Sequence, residues 1–171
     1  ADRLTGGAGS DTLAGGGGSD TVDYAASAVA VAVNLAAGTA SGADGSDTLF
    51  SIERVVGSGF DDVMTGSDGA DTLLGRAGAD TLSGGLGGDQ LEGGIGDDVL
   101  AGGAGSDQLI GGDGSDAASY AGAGAAVTVD LANSNGTGSD AQGDSYSEIE
   151  NVIGSDFADT LIGNSEANTL S

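Results

Sequence analysis

Apolar residues along this chain keep a nine-residue beat. From Gly57 the sequence divides into GSGFDDVMT, GSDGADTLL, GRAGADTLS, GGLGGDQLE, GGIGDDVLA, GGAGSDQLI and GGDGSDAAS. The eighth position of each unit holds Met64, Leu73, Leu82, Leu91, Leu100, Leu109 and finally Ala118. One aliphatic residue at the centre of a triplet is the pattern of a very short strand with one buried face. Strands this short are not stable alone, so the units must stack. GGAGSDTLA and GGGGSDTVD continue the beat near the N-terminus, and GSDFADTLI and GNSEANTLS near the C-terminus.

Two longer units interrupt the beat and resemble each other. Tyr24 matches Tyr120, Leu35 matches Leu131, Asp47 matches Asp144, Ile52-Glu53 matches Ile149-Glu150, and Phe60 matches Phe157. In the first, Val29, Val31, Val33 and Leu35 alternate with Ala and Asn, which predicts a longer strand with one buried face. Tyr24, Tyr120, Phe60 and Phe157 read as packing residues over the ends of these strands. The expected organisation is one all-β domain over residues 1–171: repeats at 1–23, a long unit at 24–56, seven regular repeats at 57–119, a second long unit at 120–153 and terminal repeats at 154–171. Both ends fall inside a repeat, so the chain reads as a fragment of a larger protein.

Composition sharpens the problem. The 171 residues include 36 glycines, no proline, cysteine or tryptophan, and 27 acidic residues against three arginines, for a net charge of −24. Few aromatics and high charge ordinarily describe a chain that cannot fold. The regular aliphatic beat says that this one does, with help from something the sequence does not contain. Strong acidity argues against nucleic acid, which requires a basic footprint, and for cations. No apolar run approaches the roughly 18 residues of a membrane span. With no histidine, cysteine or lysine, the triad, thiol, Schiff-base and zinc-water mechanisms are excluded, and the segment is not expected to be an enzyme.

The sixth position identifies the cation. It is Asp62, Asp71, Asp80, Asp89, Asp98, Asp107 and Asp116 in the regular block, with Asp11, Asp20 and Asp159 in the flanking repeats and Asn168 in the last. Glycines before each aspartate let the backbone curl so that carbonyl oxygens face inward. If one turn of the coil takes two units, aspartates eighteen residues apart lie at strand spacing and repel. A hard divalent ion between turns reverses the sign. Calcium takes six to eight oxygen ligands, backbone carbonyls among them, whereas zinc, iron and copper prefer His or Cys.

Spacing alone pairs Asp62 with Asp80, Asp80 with Asp98 and Asp98 with Asp116 on one edge, and Asp71 with Asp89 and Asp89 with Asp107 on the other. At least five calcium sites follow. Asp2 is expected to pair with Asp20. If each long unit adds one turn without aspartate, at Ala25–Ala28 and Ala121–Gly124, then Asp20 lies above Asp47, Asp47 above Asp71 and Asp116 above Asp144, leaving Asp11 and Asp159 against aspartate-poor turns. Asp61, Asp68, Asp97 and Asp113 read as solvated surface, and Glu53 and Glu150 as surface or backbone-capping groups ahead of ligands.

GGxGxDxUx in phased copies resembles the RTX calcium-binding repeat, and the long units, with DYxAS-AVxVNL and IExVxGSxFxD, are similar to serralysin-type C-terminal β-rolls and haemolysin-type calcium-binding regions. The resemblance spans essentially the whole chain. It implies a parallel β-roll, a right-handed β-helix with two short-stranded parallel sheets and 18 residues per turn. It also implies calcium between turns and a bacterial parent protein exported through a type I secretion channel, so that the module is extracellular or at the cell surface, and a monomer. The sequence departs from the pattern where Phe60 and Phe157 replace the fourth glycine and Arg76 replaces a second one. A second reading makes the roll an adhesin or polysaccharide-binding module for an extracellular glycan. A third makes it an accessory module of a secreted protease, lipase or polysaccharide-modifying enzyme.

Overall fold

The computed structural model describes residues 1–42 and 45–171. Its described residues form short strands and a single 3-10 turn, Ser139–Ala141. Successive units alternate between two sheets, so the chain climbs as a coil. One sheet has seven strands, among them Thr72–Ala77, Gln90–Ile95 and Gln108–Asp113, and the other has ten, among them Val63–Thr65, Thr81–Leu86 and Val99–Ala104. Leu82 lies against Leu100 and Leu91 against Leu109, both in parallel register. One turn is therefore two nonapeptides, and the fold is the all-β parallel roll that the periodicity predicts.

The eighth-position side chains fill the space between the sheets. Met64, Leu73, Leu82, Leu91, Leu100, Leu109 and Ala118 are all fully buried. This core is one aliphatic side chain deep on each side, and each buried leucine contributes about 1.5–3 kcal/mol. Outward neighbours in the same strands, such as Thr81 and Gln108, stay exposed, which is the alternation a pleated strand imposes.

Each long unit inserts an antiparallel hairpin into the parallel stack. In the first, Thr39–Gly42 pairs antiparallel with both Ala32–Asn34 and Gly45–Phe50, and the inserted strands sit between Thr12–Ala14 and Val63–Thr65. In the second, Asn135–Thr137 pairs antiparallel with Thr128–Asp130, which runs parallel to Thr160–Ile162. The strand predicted over Val29–Leu35 is shorter than its alternation suggests. Only Ala32–Asn34 is strand; Val31 and Val33 are buried, but Val29 lies in the preceding bend and is exposed.

After each hairpin the coil takes a shortcut. Asp47 and Glu53 are six residues apart rather than nine, as are Asp144 and Glu150. Ser51 and Glu148 close these tighter turns with φ of 51° and 54°, a left-handed conformation uncommon outside glycine.

Two of the expected packing residues do not pack. Phe60 is 45% exposed and Phe157 53% exposed. Both occupy the fourth position of a repeat, which belongs to the turn at the rim, where a side chain has no interior to enter. Tyr120, by contrast, is buried and Tyr24 partly buried against the core.

Candidate metal centre

The turns between sheets carry two ladders of carboxylates. On one edge the backbone N–H of Asp62 donates to Asp80 Oδ1 at 2.7 Å, Asp80 to Asp98 Oδ1 at 2.7 Å and Asp98 to Asp116 Oδ1 at 2.8 Å. On the other, Asp71 donates to Asp89 Oδ1 and Asp89 to Asp107 Oδ1, both at 2.8 Å. Each rung thus satisfies one oxygen of the carboxylate in the next turn. The second oxygen is a different matter. Among the described residues, Oδ2 of Asp80, Asp89, Asp98, Asp107 and Asp116 is buried with no hydrogen-bond partner, as are Oδ2 of Asp11 and Asp20 and Oδ1 of Asp71.

An unpartnered buried carboxylate oxygen is costly, because desolvation is not compensated. The titration behaviour carries the same cost. Burial pushes the Asp80 carboxyl up to about 7 and those of Asp89 and Asp116 to about 6, with neighbouring rungs adding to the effect. Asp98 and Asp107 are raised for the same leading reason. Little positive charge is available to offset this. Among the described residues, Arg3 pairs with Asp23, the terminal amine lies 3.5 Å from Asp20 Oδ1, and Arg76 is directed at the carbonyls of Ser58 and Ala25.

The surroundings suit a hard cation. A β-carbon at Gly75 would collide with Asp80 Oδ2 and the carbonyl oxygen of Gly93; one at Gly84 would meet Asp89 Oδ2 and the carbonyl of Gly102. Gly57, Gly66, Gly75 and Gly84, each the first residue of its unit, therefore leave a cradle lined by a carboxylate oxygen and a main-chain carbonyl from the following turn. No group of three or more carboxylates converges among the described residues, so a full coordination shell has to include carbonyls. An all-oxygen donor set that mixes carboxylate and backbone oxygen fits calcium.

In the regular block the structure stacks Asp62, Asp80, Asp98 and Asp116 on one edge and Asp71, Asp89 and Asp107 on the other, and at the N-terminus Asp2 N–H donates to Asp20 Oδ1 at 2.5 Å. The alignments expected across the long units are different. Asp20 does not lie above Asp47; its N–H bonds Glu53 Oε2 at 2.9 Å. Asp47 instead faces Asp11, whose N–H reaches its Oδ1 at 3.1 Å, so Asp11 is not against an aspartate-poor turn. Asp144 is paired with Asp107 at 2.9 Å rather than with Asp116, whose N–H bonds Glu150 Oε2 at 2.9 Å. Asp71 is preceded in its sheet by the strand after Glu53, not by Asp47. The cause is that the six-residue shortcut stands in for one repeat, so Glu53 and Glu150 are the next rungs and take the places below Asp20 and Asp116, leaving Asp47 and Asp144 on the edges of Asp11 and Asp107. Asp159 meets Val127 N–H at 2.8 Å, with no carboxylate above it.

Glu53 and Glu150 thus occupy rungs, capping the backbone of the turn before. Their signal was present, since each lies nine residues before an aspartate, Asp62 or Asp159, and two before a buried valine, Val55 or Val152. Tyr24 and Tyr120 had no such signal. Tyr24 Oη donates to Asp47 Oδ2 at 3.0 Å and Tyr120 Oη to Asp144 Oδ2 at 2.6 Å, with Tyr146 Oη a further 2.6 Å from Tyr120 Oη.

Comparison with known proteins agrees with this geometry. The RTX calcium-binding nonapeptide repeat family matches the chain in four copies, over residues 1–26, 56–91, 83–117 and 148–171. No curated protein matches the chain significantly.

Proposed function

Since the chain belongs to the RTX calcium-binding nonapeptide repeat family and is a calcium-binding repeat module, we propose that it folds on binding extracellular calcium and serves the export and stability of a larger secreted bacterial protein. The observation that carries this reading is the row of buried carboxylate oxygens without partners, Asp80, Asp98 and Asp116 on one edge and Asp89 and Asp107 on the other. Together with Asp2, Asp11, Asp20, Asp47, Asp62, Asp71, Asp144 and Asp159 these are the candidate ligands, and the rungs of the regular block supply at least five sites.

Bound calcium supplies the positive charge that the chain lacks. The protein's own residues do the rest: glycines at the first position make room, main-chain carbonyls complete an oxygen shell, and the aliphatic column holds the two sheets together. In low calcium, repulsion between the carboxylates opposes closure of each turn, which suits passage through a type I exporter. Outside, each closed turn forms half of the next site, so folding propagates along the stack, and binding free energy becomes folding free energy. Extracellular calcium modules bind with dissociation constants of roughly 10⁻⁴–10⁻³ M, which sets the off state inside the cell and the on state outside. The segment itself is assigned no catalysis.

Equilibrium dialysis against radioactive calcium tests the proposal. Several ions bound per chain at millimolar calcium support it. Binding that does not exceed a control chain with the rung aspartates replaced by asparagine contradicts it.

A further inference from the structure

We infer that the backbone at the second position of each repeat decides whether its turn takes a calcium ion. This rests on the calcium reading above and goes beyond it, because it sorts the turns.

The turns have two forms. In the open form the second residue is left-handed: Gly7 and Gly16 before the first long unit, and Arg76, Gly85, Gly94, Gly103 and Gly112 within the block, with φ between 80° and 117°. Every one of these turns precedes an aspartate, from Asp11 and Asp20 to Asp80 and on to Asp116, whose Oδ2 is buried and unpartnered. In the closed form the second residue is Ser58, Ser67, Ser155 or Asn164, and none of these is left-handed. Here the second-position N–H turns inward onto the sixth side chain. Ser58 donates to Asp62, Ser67 to Asp71 and Ser155 to Asp159, each at 2.6 Å, and Asn164 donates to Asn168 at 2.8 Å. The three serine hydroxyls bond the same carboxylates at 2.7–2.9 Å.

A carboxylate oxygen that already accepts N–H and O–H donors has fewer lone pairs to offer a cation. The closed turn therefore satisfies its own aspartate, whereas the open turn leaves that aspartate to an ion. Arg76 shows that the common factor is conformation rather than glycine, since its φ is 88° and Asp80 beside it keeps a free oxygen. Asp71 retains one unpartnered oxygen, Oδ1, for another reason: Glu53 in the turn above sends its N–H to the carbonyl of Asp20, so no rung reaches Asp71. Ser58 and Ser67 open the regular block, and Ser155 and Asn164 follow the second long unit. Within the block, the ion-binding run accordingly extends from Asp80 to Asp116.

The form can be switched. A β-carbon at Gly85 would collide with the carbonyl oxygen of Ser67, and a serine hydroxyl bonds the sixth-position carboxylate in each closed turn that carries one, so Gly85→Ser shifts this turn toward the closed form. Ser67→Gly frees the half-buried closed turn to open. Native mass spectrometry at saturating calcium, with circular dichroism to establish folding, counts ions on the wild type and both variants. The expected result is fewer ions on Gly85→Ser and more on Ser67→Gly. A wild-type count on either folded variant overturns the inference; if Gly85→Ser does not fold, the Ser67→Gly count decides alone. Absence of bound calcium from the wild type overturns the underlying calcium reading instead.

Discussion

Asp80 donates its backbone N–H to Oδ1 of Asp98, eighteen residues later, at 2.7 Å, yet Oδ2 of Asp98 is buried with no donor. Half of that carboxylate is used to hold the turns in register and half is left without a donor. The same division recurs along both edges, and on the proposed reading the second oxygen is the one offered to calcium.

Removing such a shared group is expected to cost more than removing one at the end of the stack. Asp89 accepts the N–H of Asp71 and donates its own to Asp107, whereas Asp11 is half-buried in the first turns. A charged hydrogen-bonding partner contributes about 1.5–3 kcal/mol. Asp89→Ala is therefore expected to raise the calcium midpoint of folding by about tenfold or more, and Asp11→Ala by clearly less. Calcium titrations followed by far-ultraviolet dichroism compare them, and equal midpoints contradict the shared-ligand geometry.

Acidification is expected to act in opposite directions with and without calcium. The carboxyls of Asp80, Asp89 and Asp116 are raised to about 7, 6 and 6 from 3.8, chiefly by burial. A raised carboxyl favours the folded state when protonated; that contribution is complete below the unfolded value and is lost as pH rises through the folded one. In chelator, acidification from about pH 8 to about pH 5 is expected to increase β structure. With calcium present, the same acidification raises the calcium midpoint, because protons compete for the carboxylates. A chelated chain whose β signal is flat or falls over that range contradicts the sign.

The glycine at the first position of a repeat is expected to be irreplaceable where it faces a carboxylate, and the one at the third position to be replaceable. Gly75→Ala pushes a β-carbon into Asp80 Oδ2 and the Gly93 carbonyl, but Gly17→Ala meets nothing within 4 Å at a residue without positive φ. Calcium titration is expected to show a weakened midpoint for the first and an unchanged one for the second.

The core is expected to respond to single side chains. Leu91 is fully buried, while Ile95 in the same strand is 62% exposed. At saturating calcium, Leu91→Ala is expected to lose about 2–5 kcal/mol in denaturant unfolding, and Ile95→Ala about 0.5 kcal/mol or less.

Much of this was legible in the sequence, because period nine is a geometric instruction. A buried residue at position eight and a carboxylate at position six, repeated without slippage from Asp62 to Asp116, leave one stacking register. The long units were harder to read. Their alternating valines announce a strand but not the hairpin that follows, and the loss of three residues between Asp47 and Glu53 breaks the nine-residue count, which hides Glu53 as the rung after Asp47. Counting back nine from Asp62 finds Glu53. Nothing local reveals that the Tyr120 phenol ends on Asp144, since that contact joins residues 24 positions apart through a fold whose register must first be known. The phenylalanines misled for a simple reason: hydrophobicity predicts burial, but Phe60 and Phe157 sit on turns at the rim.

The central claim is that calcium replaces the positive charge missing from the chain and thereby folds it. Far-ultraviolet circular dichroism at neutral pH, begun in excess chelator and continued through millimolar calcium, tests this most directly. A calcium-folded roll gives a disordered spectrum in chelator and a cooperative rise of β signal as calcium is added. A full β spectrum in chelator, unchanged by calcium, contradicts it.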